Sequence, residues 1–202
     1  MKRSLKLRIM LLTAALMLLG QNVFARNGIY VTVDGGSARQ TGLPNAAAVG
    51  ANSTSSKPAP NSSRFGVGYN HDLFPYLGIG LDIGYGHYGE EIYHYPTNET
   101  EVRSSTLEFL MLLQYHFTQF DLFGKAGGLR QTVHITGFDA QPNQTQIAPL
   151  YAIGIALPSN QHLAVIFTYA HISSHKKITT FSETQNKSPT VNACLVGLRY
   201  TF

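Results

Sequence analysis

From residue 28 onward the chain alternates between two kinds of side chain. In YLGIGLDIGYGHY one set of positions holds Leu77, Ile79, Leu81, Ile83 and Tyr85, and the other holds Gly78, Gly80, Asp82, Gly84 and Gly86. In STLEFLMLLQYHF one face carries Leu107, Phe109, Met111, Leu113, Tyr115 and Phe117, while Glu108, Leu110, Leu112, Gln114 and His116 fall on the other. LAVIFTYAHI sets Leu163, Val165, Phe167 and Tyr169 on one side, and the closing ACLVGLRYTF sets Cys194, Val196, Leu198, Tyr200 and Phe202 together. A period of two is the signature of a β-strand, and no stretch after Ala25 carries the 3.6-residue period of an amphipathic helix.

Eight such segments are predicted, at roughly 28–38, 63–72, 77–88, 104–117, 120–136, 146–157, 162–173 and 190–202, each about the 9–11 residues that cross a bilayer at a tilt, or somewhat longer. The connections alternate in length. Those at 39–62, 89–103, 137–145 and 174–189 are long and polar; LFPY (73–76), TQ (118–119) and SNQH (159–162) are tight. Strict alternation of long and short is the pattern of an antiparallel up-and-down barrel with its two rims in different surroundings. The prolines are expected in or beside connections, with Pro149 near the start of a strand and none in mid-strand. The small, polar stretch AAAVGANSTSSKPAPNSS is expected to be a mobile loop.

The first residues read differently. Lys2, Arg3, Lys6 and Arg8 precede an apolar run from Ile9 to Leu19, then Gly20 and the small-residue pattern Val23-Phe24-Ala25. This is the grammar of a secretory signal peptide, residues 1–25, with the mature domain spanning 26–202. Those four cations also account for the formal charge of +4; without them 11 basic residues face 11 acidic ones. That balance excludes a nucleic-acid binder, which needs a surplus of Lys and Arg. The single cysteine, Cys194, allows no internal disulfide and no thiolate metal site.

Face chemistry decides which side is inside. The second face is rich in glycine with isolated charges, as the narrow interior of a small barrel requires. By parity the inward set includes Asp34, Arg64, Asp82, Glu108, Lys125 and Arg199, three acids and three bases, read as an ion-pair network that plugs the lumen. A cation on the lipid face would cost about 2–4 kcal/mol at mid-membrane. In hydrocarbon every backbone group must be paired, so the sheet must close, with the last strand against the first.

The phrases RFGVGYNHDLFPYLGIGLDIGY, FDLFGKAGGLR and IAPLYAIGIALPSNQHLAVIFTYAHI…LVGLRYTF resemble the OmpA-like and opacity-type eight-stranded outer-membrane barrels of Gram-negative bacteria, across essentially all of 28–202. The resemblance implies an all-β transmembrane barrel in the cell outer membrane, a monomer without cofactor or common catalytic residues. It implies contacts with outer-membrane lipid and lipopolysaccharide, and insertion by the barrel-assembly machinery, which reads a C-terminal aromatic, here Phe202 with Tyr200 before it. It implies a structural or adhesin-like role, with a host or cell-surface ligand met by the loops; a low-conductance gated pore is an alternative. The family's usual acid in the seventh strand is absent, the chain reading Phe167-Thr168-Tyr169.

Other signals are weaker. His171, Ser173 and Glu183 in AHISSHKKITTFSE supply a base, a hydroxyl and a carboxylate, the groups acyl transfer needs, and resemble the His-x-Ser…Glu arrangement of lipid A deacylases. Ser174 stands where those enzymes have Asn, so a polar strand end is the reading adopted and no catalytic residue is assigned. The histidines, His94, His171 and His175 among them, form no metal-ligand spacing. Arg130 and the Lys176–Lys177 pair are cations near the outer rim that could meet lipopolysaccharide phosphates.

Overall fold

A computed structural model describes residues 27–56, 60–137, 141–174, 177–179, 185–187 and 189–202. The leader read over 1–25 lies outside the described residues, as do His175, Lys176 and Glu183. The strands are β1 (Gly28–Thr41), β2 (Ser53–Ser56), β3 (Ser62–Phe74), β4 (Leu77–His94), β5 (Glu99–His116), β6 (Asp121–Gly137), β7 (Gln141–Pro158), β8 (Leu163–Ile172), β9 (Lys177–Thr179), β10 (Gln185–Lys187) and β11 (Thr190–Thr201). Eight of them close into an antiparallel ring in the order β1, β3, β4, β5, β6, β7, β8, β11, with β11 pairing back onto β1. β2 adds to the upper part of β4, and β9 pairs only with β10.

The register fixes the shape of the ring. Following paired residues from Tyr30 through Gly68, Asp82, Leu110, Gly127, Leu150, Ile172 and Val191 returns to Gln40, ten residues further along β1. With strands about 4.8 Å apart and a rise of about 3.3 Å per residue, that stagger tilts the strands by roughly 40° and gives a backbone radius of about 8 Å. Such a tube has room for side chains and little else.

Parity then sorts the residues. Outward positions are apolar and exposed across the middle of every ring strand: Val33, Val67, Leu81, Phe109, Met111, Ile153, Phe167 and Val196 are examples. Aromatic rings gather at both edges of this band. Near the short turns, Phe74, Tyr76, Tyr115, Phe117 and Phe120 form a chain of ring contacts, and His162, Tyr200 and Phe202 another. Tyr85, Tyr151 and Tyr169 stand exposed on the opposite side of the band.

The connections at the other rim are not the loops the sequence reading expected. Residues 89–94 and 99–103 continue as strand, so β4 and β5 form one hairpin of 18-residue arms closed at 95–98. At the derived tilt 18 residues rise about 45 Å, well beyond an apolar band of about 25 Å. β6 and β7 rise beside them, while β8 ends at Ile172 and β11 starts at Thr190. The ring wall is therefore tall on one side and low on the other. The stretch expected to be mobile is partly folded: Asn45 caps a short 3-10 turn over Ala46–Val49 by accepting from the Ala48 N–H at 2.9 Å, and Ser53–Ser56 forms β2.

This tall side has its own core. Tyr93, Val102, Val133 and Ile135 face inward and bury against Ala51, with Leu43, Ala46, Val49 and Tyr95 packed around them. The Tyr93 hydroxyl donates to the Pro44 carbonyl at 2.7 Å. Residues 43–51 thus lie over the inner face of the extension and cover the lumen's mouth.

Two irregularities shape the extension. Between His87 and Glu90 the β4–β5 register shifts, with Gly89 at φ +70. Below this bulge the even residues of β4 face inward; above it Tyr93 does. A second shift in β6–β7, between Val133 and Ile135, coincides with Pro142. Pro142 and Pro149 are thus within β7, a correction to the expectation that no proline falls in mid-strand. Pro149 is tolerated because β7 pairs with β8 only from Leu150 onward, so its missing N–H interrupts no ladder there. Its carbonyl still accepts from the Ser173 N–H at 3.2 Å.

Candidate functional site

The lumen holds the charged residues that parity placed on one face. Asp34 on β1, Arg64 on β3, Asp82 on β4, Glu108 on β5 and Lys125 on β6 are all buried. Arg64 is the hub. Its Nε donates to Glu108 Oε2 at 2.7 Å, its Nη2 to Asp82 Oδ1, and its Nη1 to Thr32 Oγ1 at 3.2 Å, with Asp34 Oδ2 at 3.5 Å. Lys125 donates to Asp82 Oδ2 at 2.8 Å, and the Tyr30 hydroxyl donates to the same oxygen at 2.8 Å. The hydroxyls of Tyr88 and Thr106 donate to Glu108 Oε1 at 2.8 and 2.9 Å. Two glycines make the room: a Cβ on Gly84 would lie 2.6 Å from Arg64 Nη2, and one on Gly66 would lie 2.7 Å from both Arg64 Nη1 and Thr32 Oγ1.

Arg199 is buried too but stands apart from these carboxylates. Its guanidinium lies over the rings of Tyr30 and Phe123, at 4.8 and 5.3 Å from their centroids, and its Nη1 donates to Gln114 Oε1 at 2.9 Å. Gln114 donates to Asp121 Oδ2 at 2.8 Å; His116 pairs with Asp121 through Nδ1 at 2.9 Å and with Asp72 through Nε2 at 3.0 Å. The lumen thus carries a second polar layer near the short turns. Gln114 and His116 were on the inward face of the sequence pattern; Asp72 and Asp121 sit at strand ends, where alternation gives no signal.

Apolar layers separate the polar ones. Tyr30, Leu112, Phe123, Ala156 and Ile166 cluster toward the short-turn rim, and Tyr88, Leu110, Leu129, Leu150, Ile172 and Leu195 cluster above the ion pairs. Higher still, Gln131 donates to Ser104 Oγ at 3.2 Å, and Gln146 donates to Gln131 Oε1 at 2.6 Å and Ser174 Oγ at 2.7 Å. Two small cavities, of about 30 Å³ at the lower mouth and about 10 Å³ beside the ion pairs, remain along the axis. Each has room for no more than a water or two, and neither for an ion with its shell of waters.

The outward face of the extension is polar. Arg103 Nε lies 2.5 Å from Glu101 Oε1 and 3.5 Å from Glu90 Oε2. His94 bonds Ser55 Oγ through Nε2 at 2.8 Å and Glu99 Oε1 through Nδ1 at 3.0 Å; His134 bonds Ser105 at 3.0 Å and Asn143 at 3.1 Å. Partial burial, and then the bond from Glu90, raise the Glu101 carboxyl above its ordinary value, against the pull of Arg103. The hydrogen bond to Glu101 in turn raises the Arg103 guanidinium. Burial raises the Tyr93 phenol.

A carboxyl raised on folding holds its proton more tightly in the folded chain, so its contribution is present at low pH and lost as pH rises through the raised value. The extension is accordingly expected to loosen as pH climbs out of the acid range, and Glu101→Gln to flatten that dependence. Hydrogen exchange over 89–103, corrected for intrinsic rates, measures it.

The remaining sequence candidates lie elsewhere. His171 bonds Asn192 Oδ1 through Nδ1 at 2.7 Å, Ser173 follows the end of β8, and Glu183 is outside the described residues. Arg130 is exposed on the outward face of β6. Among the described residues no group of three or more His, Cys, Asp or Glu side chains is placed to hold a metal.

A closed ring, apolar outside and ionic within, matches one family over residues 11–202, described as the outer membrane protein beta-barrel domain. The chain belongs to that family. It is similar in structure to Ail, the attachment invasion locus protein of Yersinia pestis, at a TM-score of 0.52 and 10% identity over 89% of this chain and 100% of that one. It is also similar to Neisserial surface protein A, NspA, at a TM-score of 0.54 and 16% identity over 87% of this chain and 97% of that one. No curated protein matches it by sequence.

Family membership places the chain in the outer membrane as a transmembrane β-barrel. The short-turn rim then faces the periplasm and the tall extension the outside. A shallow apolar recess of about 680 Å³ on the outer wall, lined by Tyr69, Ile79, Leu81, Met111, Leu113 and Ala126 among others, lies among acyl chains.

Proposed function

We propose that this barrel is a structural and surface-contact protein that meets its partner through the extension built by β2 and the upper parts of β4, β5, β6 and β7. The observation that carries this reading is the extension's own apolar core, which holds a five-strand surface rigid well above the apolar band. A rigid surface spends little entropy on binding. Its outward face offers charge and hydrogen-bonding groups of both signs and no large apolar patch, the chemistry of a polar, hydrated partner. The filled lumen and the cover formed by 43–51 weigh against a conducting role.

The test uses whole cells displaying the protein. Adhesion to surfaces coated with heparin, whose analogue sucrose octasulfate is bound by Ail, is compared between the wild type and a variant in which 90–102 is replaced by a two-residue turn. The variant is expected to keep the heat-dependent gel shift of a folded barrel and to lose adhesion. Equal adhesion by both, or by cells without the protein, overturns the reading.

A further inference from the structure

Above the membrane, three strands of the extension bring together side chains that stand apart in the sequence. β4 ends at His94 and β5 begins at Glu99, and the register of their hairpin sets these two residues directly opposite each other. On the other side of β4, β2 places Ser53 opposite His94 and Ser55 opposite Ile92. Alternate residues of a strand share a face, so Ser55, His94 and Glu99 all project outward. The backbone beneath them is pinned. The Asn52 N–H donates to the His94 carbonyl at 2.8 Å, the Tyr95 N–H donates to the Asn98 carbonyl at 2.8 Å, and Tyr93 is buried in the extension's core.

The three side chains form a relay. His94 Nδ1 lies 3.0 Å from Glu99 Oε1, and His94 Nε2 lies 2.8 Å from Ser55 Oγ. A carboxylate oxygen only accepts, so Nδ1 carries the proton of the neutral ring. Nε2 then presents a lone pair, and the Ser55 hydroxyl donates to it. In this tautomer an imidazole serves as general base toward a serine, with a carboxylate in place to stabilise the imidazolium that forms. Ser105, His134 and Asn143 make a similar chain, at 3.0 and 3.1 Å. Its third member is an amide, which offers an imidazolium no opposite charge. Ser55 is exposed, so a carbonyl group reaches its Oγ from solvent.

From this juxtaposition we infer that Ser55 is a nucleophile activated by His94, with Glu99 as the residue that positions the ring, and that the pair hydrolyses short-chain, water-soluble esters. Oγ bonds the ester carbonyl carbon as its proton passes to Nε2; the bond to the leaving alkoxide breaks, and the alkoxide takes that proton. Water then adds to the acyl-serine and gives a proton to Nε2; the Oγ–acyl bond breaks, the proton returns to Oγ, and the acid departs. Position sets the substrate class. His94 is nine residues beyond Tyr85 on β4, roughly 20 Å along the barrel axis at the derived tilt, so acyl chains within the bilayer are out of reach. Ser53, Glu99 and Glu101 surround Ile92 on this face, a polar setting that suits an acyl group of acetyl size. The inference stands apart from the contact role proposed above.

The refolded full chain in detergent micelles tests it, with p-nitrophenyl acetate, p-nitrophenyl palmitate and a fluorophosphonate as probes. The wild type is expected to hydrolyse the acetate at least tenfold faster than Ser55→Ala or His94→Gln, and the double variant to lose no more than either single one. Glu99→Gln is expected to lose about tenfold, with Glu99→Asp restoring part of it. The wild-type rate is expected to rise with pH through the titration of an imidazole, a dependence absent from His94→Gln. The palmitate is expected to show no gain over Ser55→Ala. Hydrogen exchange over 89–103 confirms that each variant keeps the extension folded. Independently of any variant, mass spectrometry of the wild type is expected to find the fluorophosphonate on Ser55. No labelling, labelling at Ser105 in place of Ser55, or equal acetate hydrolysis by Ser55→Ala or His94→Gln overturns the inference, and faster turnover of the palmitate overturns the substrate class.

Discussion

Arg64→Leu is expected to lower the unfolding free energy of the refolded barrel by about 3–5 kcal/mol, the usual consequence of removing one partner from a buried ionic cluster. The substitution leaves Asp34, Asp82 and Glu108 facing Lys125 alone, and Glu108 loses its only ion-pair partner among the described residues. The damage comes from stranded carboxylates more than from the lost bonds. Adding Asp82→Asn and Glu108→Gln to Arg64→Leu is therefore expected to recover part of the loss, a non-additivity that distinguishes uncompensated charge from lost packing. Urea unfolding in lipid vesicles, followed by the gel shift, gives both numbers. A loss below about 1 kcal/mol for Arg64→Leu would mean that water reaches the cluster and screens it.

The second large effect lies on the other side of the wall. Leu81 is exposed near the middle of the outward band of β4, between Leu77 and Tyr85. Leu81→Arg is expected to destabilise the barrel by about 2–4 kcal/mol in a bilayer, while the same change at Ile147, beyond the upper girdle, costs about 0–1 kcal/mol. Ile147 is the more exposed of the two, at 86% against 49%. Solvent exposure alone thus ranks them in the wrong order, and only the hydrocarbon explains the expected one. Unfolding titrations of the two variants in the same vesicles decide it; equal costs would remove the membrane from the account of these faces.

The spans were legible because each obeys one rule over its whole membrane-crossing length. Lipid on one side and a narrow tube on the other force a large apolar residue and a small or paired one to alternate, and β4 does so from Leu77 to Tyr85 without a break. The extension was not legible for the same reason. Above the girdle the outward side meets water, so Glu99, Glu101 and Arg103 replace Leu and Phe, and a charged strand reads as a loop. The bulge at Gly89 then inverts the phase of β4, so Tyr93 falls out of step with Leu81 and Ile83. Inside the lumen, parity separates the two faces but carries no height. Arg199 shares a face with Asp34 and Asp82, yet the tilt of β11 sets it a layer lower, among Tyr30, Phe123 and Gln114. Aromatic rings and an amide, which carry no charge, gave the sequence no means of announcing that arrangement.

The irregularity between His87 and Glu90 has one more consequence. Everything beneath it is locked to a common alternation by the closed ring, so a single inserted residue there would turn a whole arm inside out. The extra residue at the bulge lets the distal arm keep its own count. Evolution, or an engineer, can therefore exchange the hairpin beyond Gly89 for another of different length and phase while the portion embedded in lipid stays untouched: the kink is a natural splice point between a fixed anchor and a replaceable head.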